Sequence, residues 1–249
     1  DTRPSVWAPW NWLALGRRLR DGGFDRVYDL QTSGRSGLYF RLMGSPKPEW
    51  SGIVPGASHC HTNPGRVHMH TLDRQAEQLA VAGISHVLRA SLDWATSDLG
   101  KFPLRPPFAL LVPGGSAHRP EKRWPAAHFA DLAGRLAAAG LRPVVLGTAQ
   151  EGYLGQQIAG TGGLDLTGQT DLADIAELAR SAAVAVGNDT GPMHIAAAVG
   201  CRSVVLFSDA SDPALCAPRG AGVLVIQMPD LARLTVDQVA GPALSGGAP

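Results

Sequence analysis

Cysteine is scarce in this sequence. Cys60, Cys201 and Cys216 are the only three in 249 residues, far apart and without a Cys-x-x-Cys pair. Neither a disulfide framework nor a cysteine-built zinc site is indicated, and a reducing cytoplasm is the simplest compartment. No apolar run approaches the roughly 20 residues that a spanning helix needs, and no signal peptide is visible. Charge of one sign is not in excess: Lys plus Arg number 22 and Asp plus Glu 21, a net of +1. That balance argues against a broad nucleic-acid-binding face, so no nucleic acid partner is expected. No Gly-x-Gly-x-x-Gly follows a strand, which weighs against a nicotinamide-dependent oxidoreductase. The chain opens at Asp1 without a Met, and a preceding segment is the expectation.

Apolar residues are plentiful, at 45%. The length suits one large domain or two small ones. Residues 7–20 read as a helix with a basic end, 26–31 as a strand and 36–43 as a second helix, a strand-to-helix unit of α/β type. Trp7, Trp10 and Trp12 read as packing. Beside Arg17, Arg18 and Arg20 they would also give a weak, peripheral attachment to a membrane surface. Residues 45–68, rich in Pro, Gly, Ser and His, read as a long surface loop. Its His59, Cys60 and His61, with His68 and His70, lack the regular spacing of a zinc site. A lid over an acceptor is the expectation for this loop. Residues 71–83 read as a helix and 93–107 as a linker.

Beyond the linker the alternation is regular. Strands are predicted at 108–112, 142–146, 164–166, 182–186, 203–207 and 223–226, with helices at 125–139, 151–159, 172–181 and 192–199. Such alternation implies a mostly parallel, doubly wound sheet. The domains are therefore placed at residues 1–100 and 106–240. The second has a full Rossmann-like set of strands. The first shows one convincing strand and reads as incomplete.

In such sheets ligands bind outside the carboxyl ends of the strands. After the strand at 182–186 comes Gly187-Asn188-Asp189-Thr190-Gly191-Pro192-Met193-His194. Asp189 or Thr190 can cap the following helix, and Pro192 suits its first turn. A helix start there aims N–H groups and the positive dipole end at a guest, ideally a phosphate, with His194 one turn on. After the strand at 108–112, Gly114 and Gly115 allow close backbone approach, Ser116 offers a hydroxyl, and Lys122 and Arg123 bring positive charge. Trp124 reads as packing the next helix on the sheet. After the strand at 142–146, Glu151 stands where a carboxylate holds ribose hydroxyls, or serves as an N-terminal helix acid.

Pro113-Gly-Gly-Ser with Lys122-Arg-Trp-Pro125, then Gly147-Thr-Ala-Gln-Glu151, Leu166-Thr-Gly-Gln-Thr-Asp-Leu172 and Gly187-Asn-Asp-Thr-Gly-Pro-Met-His194 resemble the heptosyltransferases of glycosyltransferase family 9. A weaker likeness covers Phe24–Gln31 with Arg35. The resemblance implies a GT-B fold, two Rossmann-like domains facing a cleft. It implies an inverting glycosyltransferase that moves heptose from ADP-heptose to the inner core of lipopolysaccharide, on a lipid A-Kdo type acceptor. It further implies no metal and no cofactor, and work at the inner face of the cytoplasmic membrane. By position, Ser116 and Lys122 would contact the diphosphate or donor sugar. Glu151 would hold the ribose. Asp189, Thr190, Gly191 and His194 would hold the diphosphate and heptose, and Thr167 to Leu172 would border the adenine. The family's catalytic base, an Asp in a Gly-rich turn after the first strand, has no counterpart here. Asp29, read as lying within a strand, is a poor substitute. Gly115-Ser116 stands where many relatives carry a Thr. The alternatives are a transferase using another nucleotide sugar and a non-catalytic nucleotide-binding module.

Overall fold

The computed structural model describes residues 9–88, 91–116, 118–160 and 162–245. The chain forms two compact units, Asp1–Arg89 and Ala90–Pro249.

The first unit holds α1 (Pro9–Asp21), β1 (Arg26–Tyr28), α2 (Gly34–Leu42), β2 (Glu49–Gly52), β3 (His59–Cys60) and α3 (Thr71–Val81). The strands form a parallel sheet in the order β1-β2-β3. The long surface loop expected at 45–68 is therefore corrected: it contains β2, β3 and a 3-10 turn over Pro64–His68. Packing overrides the weak local signal. Trp50 is 2% exposed and meets Phe40 edge to face at 5.3 Å. The ladder is prolonged by Asp29 N–H donating to the Ser51 carbonyl (2.8 Å) and His61 N–H to Gly52 (2.7 Å).

Two of these histidines, His61 and His70, have local structural partners. Buried His61 lies 3.1 Å from the Glu77 carboxylate, and His70 Nδ1 caps α3 by accepting from the Leu72 N–H. Among the described residues no group of three or more His, Cys, Asp or Glu is set to hold a metal ion. Asp29 lies just past β1, buried, with Oδ1 accepting from the Thr32 N–H. Trp10 is 79% exposed, so packing does not account for it. Trp7 lies outside the described residues.

The second unit runs β4 (Phe108–Val112), α4 (Ala126–Ala138), β5 (Arg142–Val145), α5 (Gly152–Ala159), β6 (Leu164–Asp165), α6 (Leu172–Ser181), β7 (Val184–Asn188), α7 (Gly191–Ala198), β8 (Ser203–Phe207), α8 (Pro213–Cys216), β9 (Val223–Gln227) and α9 (Val236–Leu244). Every pairing is parallel, in the order β6-β5-β4-β7-β8-β9. This is the doubly wound order, with its reversal between β4 and β7.

Side chains alternate across the sheet. Ala109 and Leu111 of β4 join a core with α4, α5 and α9, while Phe108, Leu110 and Val112 join one with α6 and α7. Trp124 is 1% exposed in the first core, its Nε1 donating to the Leu234 carbonyl at 2.9 Å. The stretch expected to be a linker, 93–107, belongs to this unit's packing. Arg180 donates to the carbonyls of Leu92 and Ala95, Lys101 pairs with Asp174 at 2.5 Å, and Phe102 enters the core.

Candidate functional site

The loops that matter leave the carboxyl ends of β4, β5, β6 and β7, where an open α/β sheet presents its crevice. They surround one cavity of about 550 Å³, lined from β4 by Gly114, Gly115 and Ser116 and from β7 by Asp189, Thr190 and Gly191. Thr148 and Glu151 close a third side, and Thr170, Leu172 and Ile175 a fourth. Its size suits a nucleotide-scale ligand.

Asn188 holds the two central loops together. It is fully buried at the end of β7. Its Oδ1 accepts from the Trp124 N–H at 3.0 Å, and its Nδ2 donates to the carbonyls of Pro113 (2.8 Å) and Gly114 (3.1 Å). Beside it, Gly187 has no space for a side chain. A Cβ there would stand 2.6 Å from the Val112 Cβ and 2.8 Å from the Met193 Sδ. The close approach of β4, β7 and α7 thus depends on that glycine.

α7 begins at Gly191 after Thr190 at φ −147, ψ 162. The expected side-chain cap does not form. The Thr190 hydroxyl donates to the Asn188 carbonyl at 3.1 Å, and Asp189 turns to Lys122. The first turn of a helix has N–H groups with no intrahelical acceptor, so the Gly191 end faces the cavity as a donor bearing the positive dipole.

Lys122 Nζ lies 2.8 Å from Asp189 Oδ2, with side chains 16% and 10% exposed. His194 Nε2 is 4.0 Å from the other carboxylate oxygen. Glu151 spans two loops. Its Oε1 accepts from the Gly115 N–H at 3.1 Å, and Oε2 from the Thr148 N–H and hydroxyl at 2.8 and 2.9 Å. The latter bonds complete a capping box over the 3-10 turn Ala149–Glu151 that precedes α5. A Cβ on Gly114 would strike the Glu151 carboxylate.

Of the residues read from sequence, Ser116, Glu151, Asp189, Thr190 and Gly191 line the one cavity. Lys122 and His194 stand one side chain behind it, against Asp189. The sequence reading passed over Asn188. An amide at a buried strand end, just before a ligand-facing loop, was the available signal.

The family model for glycosyltransferase family 9 (heptosyltransferase) matches residues 12–232. The chain belongs to glycosyltransferase family 9. Lipopolysaccharide heptosyltransferase 2 of Escherichia coli K12 is 28% identical over 228 residues, covering 79% of this chain and 63% of that protein. The family 9 chain thus spans under two thirds of this curated relative's length. It is similar to the structure of E. coli ADP-heptose lps heptosyltransferase II, with a TM-score of 0.74, 25% identity, and coverage of 95% of this chain and 80% of that one. A family 9 glycosyl transferase from Veillonella parvula has the same fold at 20% identity and a TM-score of 0.74, covering 98% and 80%. The fold class is that of the GT-B heptosyltransferases.

Proposed function

We propose that this family 9 chain binds ADP-heptose through the cavity at the β4–β7 reversal, as part of an inverting transferase that places heptose on the inner core of lipopolysaccharide. The observation that carries the reading is the convergence of the Gly114-Gly115-Ser116 loop, Asp189 and the start of α7 on one cavity, with Lys122 held behind Asp189 at 2.8 Å. That arrangement supports a diphosphate as the guest. The similarity to an ADP-heptose heptosyltransferase supports the choice of sugar nucleotide.

In this reading the diphosphate lies between Ser116 and the α7 start, beside Lys122. His194 stands on the sugar side. The ribose approaches Glu151, and the base lies against Leu172 and Ile175. An acceptor hydroxyl, relieved of its proton by a base, attacks the anomeric carbon from the face opposite the phosphate. One displacement inverts that centre through an oxocarbenium-like state. Charge gathers on departing ADP, where preorganised donors act best. Here those are the Lys122 ammonium, the Ser116 hydroxyl and the backbone at Gly191. The acceptor in this proposal is the lipid A-Kdo type, and the work is done at the cytoplasmic face of the inner membrane. Among the described residues no helix is long and apolar enough to cross a membrane. Exposed Trp10 and Leu13, on the helix that carries Arg17, Arg18 and Arg20, would supply the peripheral contact.

Titration calorimetry with ADP, ADP-heptose and NADH tests the donor site. Binding of the two ADP ligands with no response to NADH is expected. Indifference to ADP and ADP-heptose would remove the proposal.

A further inference from the structure

Arg123 follows Lys122 directly but works on a different target. Its Nη2 donates to the Gly115 carbonyl. Its Nε is buried without a hydrogen-bond partner, and among the described residues no carboxylate pairs with it. A Cβ built on Gly115 would lie 3.5 Å from both Cγ and Nε of Arg123 and 3.8 Å from Cγ2 of Thr190. The arginine stem therefore packs against the Gly115 backbone, next to the start of α7. The amide side of Gly115 is held too, its N–H donating to Glu151 at 3.1 Å. In a trans peptide the C=O and the following N–H point in opposite directions within one plane. Drawing the Gly115 carbonyl toward Arg123 turns the Ser116 N–H the other way, on the segment that lines the cavity.

We propose that Arg123 is a positioning residue for the diphosphate of the donor: it sets the Gly115–Ser116 peptide so that the Ser116 N–H meets a phosphate oxygen, and it adds a positive charge that no carboxylate offsets. The inference rests on the donor-site reading above. Lys122 cannot supply the same uncompensated charge, because Asp189 already balances it. Lysine in place of Arg123 keeps the charge but loses the planar fork that holds the carbonyl, and glutamine loses the charge as well.

The test compares ADP with adenosine, which lacks the diphosphate. Arg123→Gln and Arg123→Lys are made in the full chain, with circular dichroism and thermal melting to establish folding, and both ligands are titrated by calorimetry. For Arg123→Gln, ADP affinity is expected to fall about tenfold to a hundredfold, the scale of one lost charge-assisted hydrogen bond, while adenosine affinity holds. Arg123→Lys is expected to lie between. The ratio of the two affinities is the readout, since a merely structural role would weaken both ligands together. A wild-type ratio in Arg123→Gln overturns the inference and spares the donor site. Failure of the unmodified chain to bind ADP overturns both.

Discussion

Lys122 and Asp189 face each other at 2.8 Å, both largely buried, so neither charge is idle before ligand arrives. Lys122→Ala would leave the carboxylate unpaired beside the incoming diphosphate, repelling it. Turnover is expected to fall by about 10²–10³, the usual loss for one transition-state donor, while the far-ultraviolet circular dichroism spectrum stays unchanged. Near-normal turnover would count against the role. Asn188 acts instead through the fold. Asn188→Ala strands one buried N–H and two carbonyls that the amide now serves. Urea denaturation should show a loss of about 1–3 kcal/mol, the cost of orphaning a buried polar group. At this scale the sequence was legible for Ser116, Glu151 and Asp189, each beside a strand end, which the structure brings to one cavity. It was silent on Asn188 and on the task of Arg123, because both act on backbone atoms brought close only by folding.

Helix α6 shows how an element is secured. Asp171 and Asp174 form a reciprocal cap at its start, with the Asp174 N–H donating to Asp171 at 2.8 Å and the Asp171 N–H to Asp174 at 3.0 Å. Burial pushes the Asp174 carboxyl up, but the hydrogen bonds from Lys101, Ser97 and the Asp171 backbone outweigh it and hold the group below the ordinary aspartate range. A carboxyl lowered in the folded state favours folding above its unfolded-state value, and that contribution disappears as pH falls through the folded-state value. Asp174→Asn should therefore cost stability at neutral pH, about 1–2 kcal/mol for the weakened bonds, and flatten the acid limb of a stability–pH curve. A variant that keeps the full acid dependence would show that the titration lies elsewhere.

Elements built on an unbroken apolar run or a sustained helical repeat were legible in the sequence. The strand at 203–207 and the helix at 172–181 match to the residue. β2 and β3 were not, because Glu49-Trp50-Ser51-Gly52 and His59-Cys60 are too short and too mixed to alternate. α9 was obscured by Gly241 and Pro242 inside it.

For the molecule as a whole, the parallel sheet of the second unit is its most deeply covered part. Cys201 lies against it, 6% exposed, and burial pushes its thiol up to about 11. Only the thiolate reacts readily, so at pH 8 a disulfide reagent should modify Cys201 no faster than the unit unfolds. Labelling followed by mass spectrometry across a denaturant series checks this, and rapid modification under native conditions would contradict it.

The β4–β7 pairing, in register from Ala109 with Val184 to Val112 with Gly187, has one more effect. The two lips of the cavity are continuations of these neighbouring strands, and buried Asn188 ties them across. They cannot spread apart without tearing the ladder beneath them. The width of the cleft at its middle is thus set by the strand ladder beneath it.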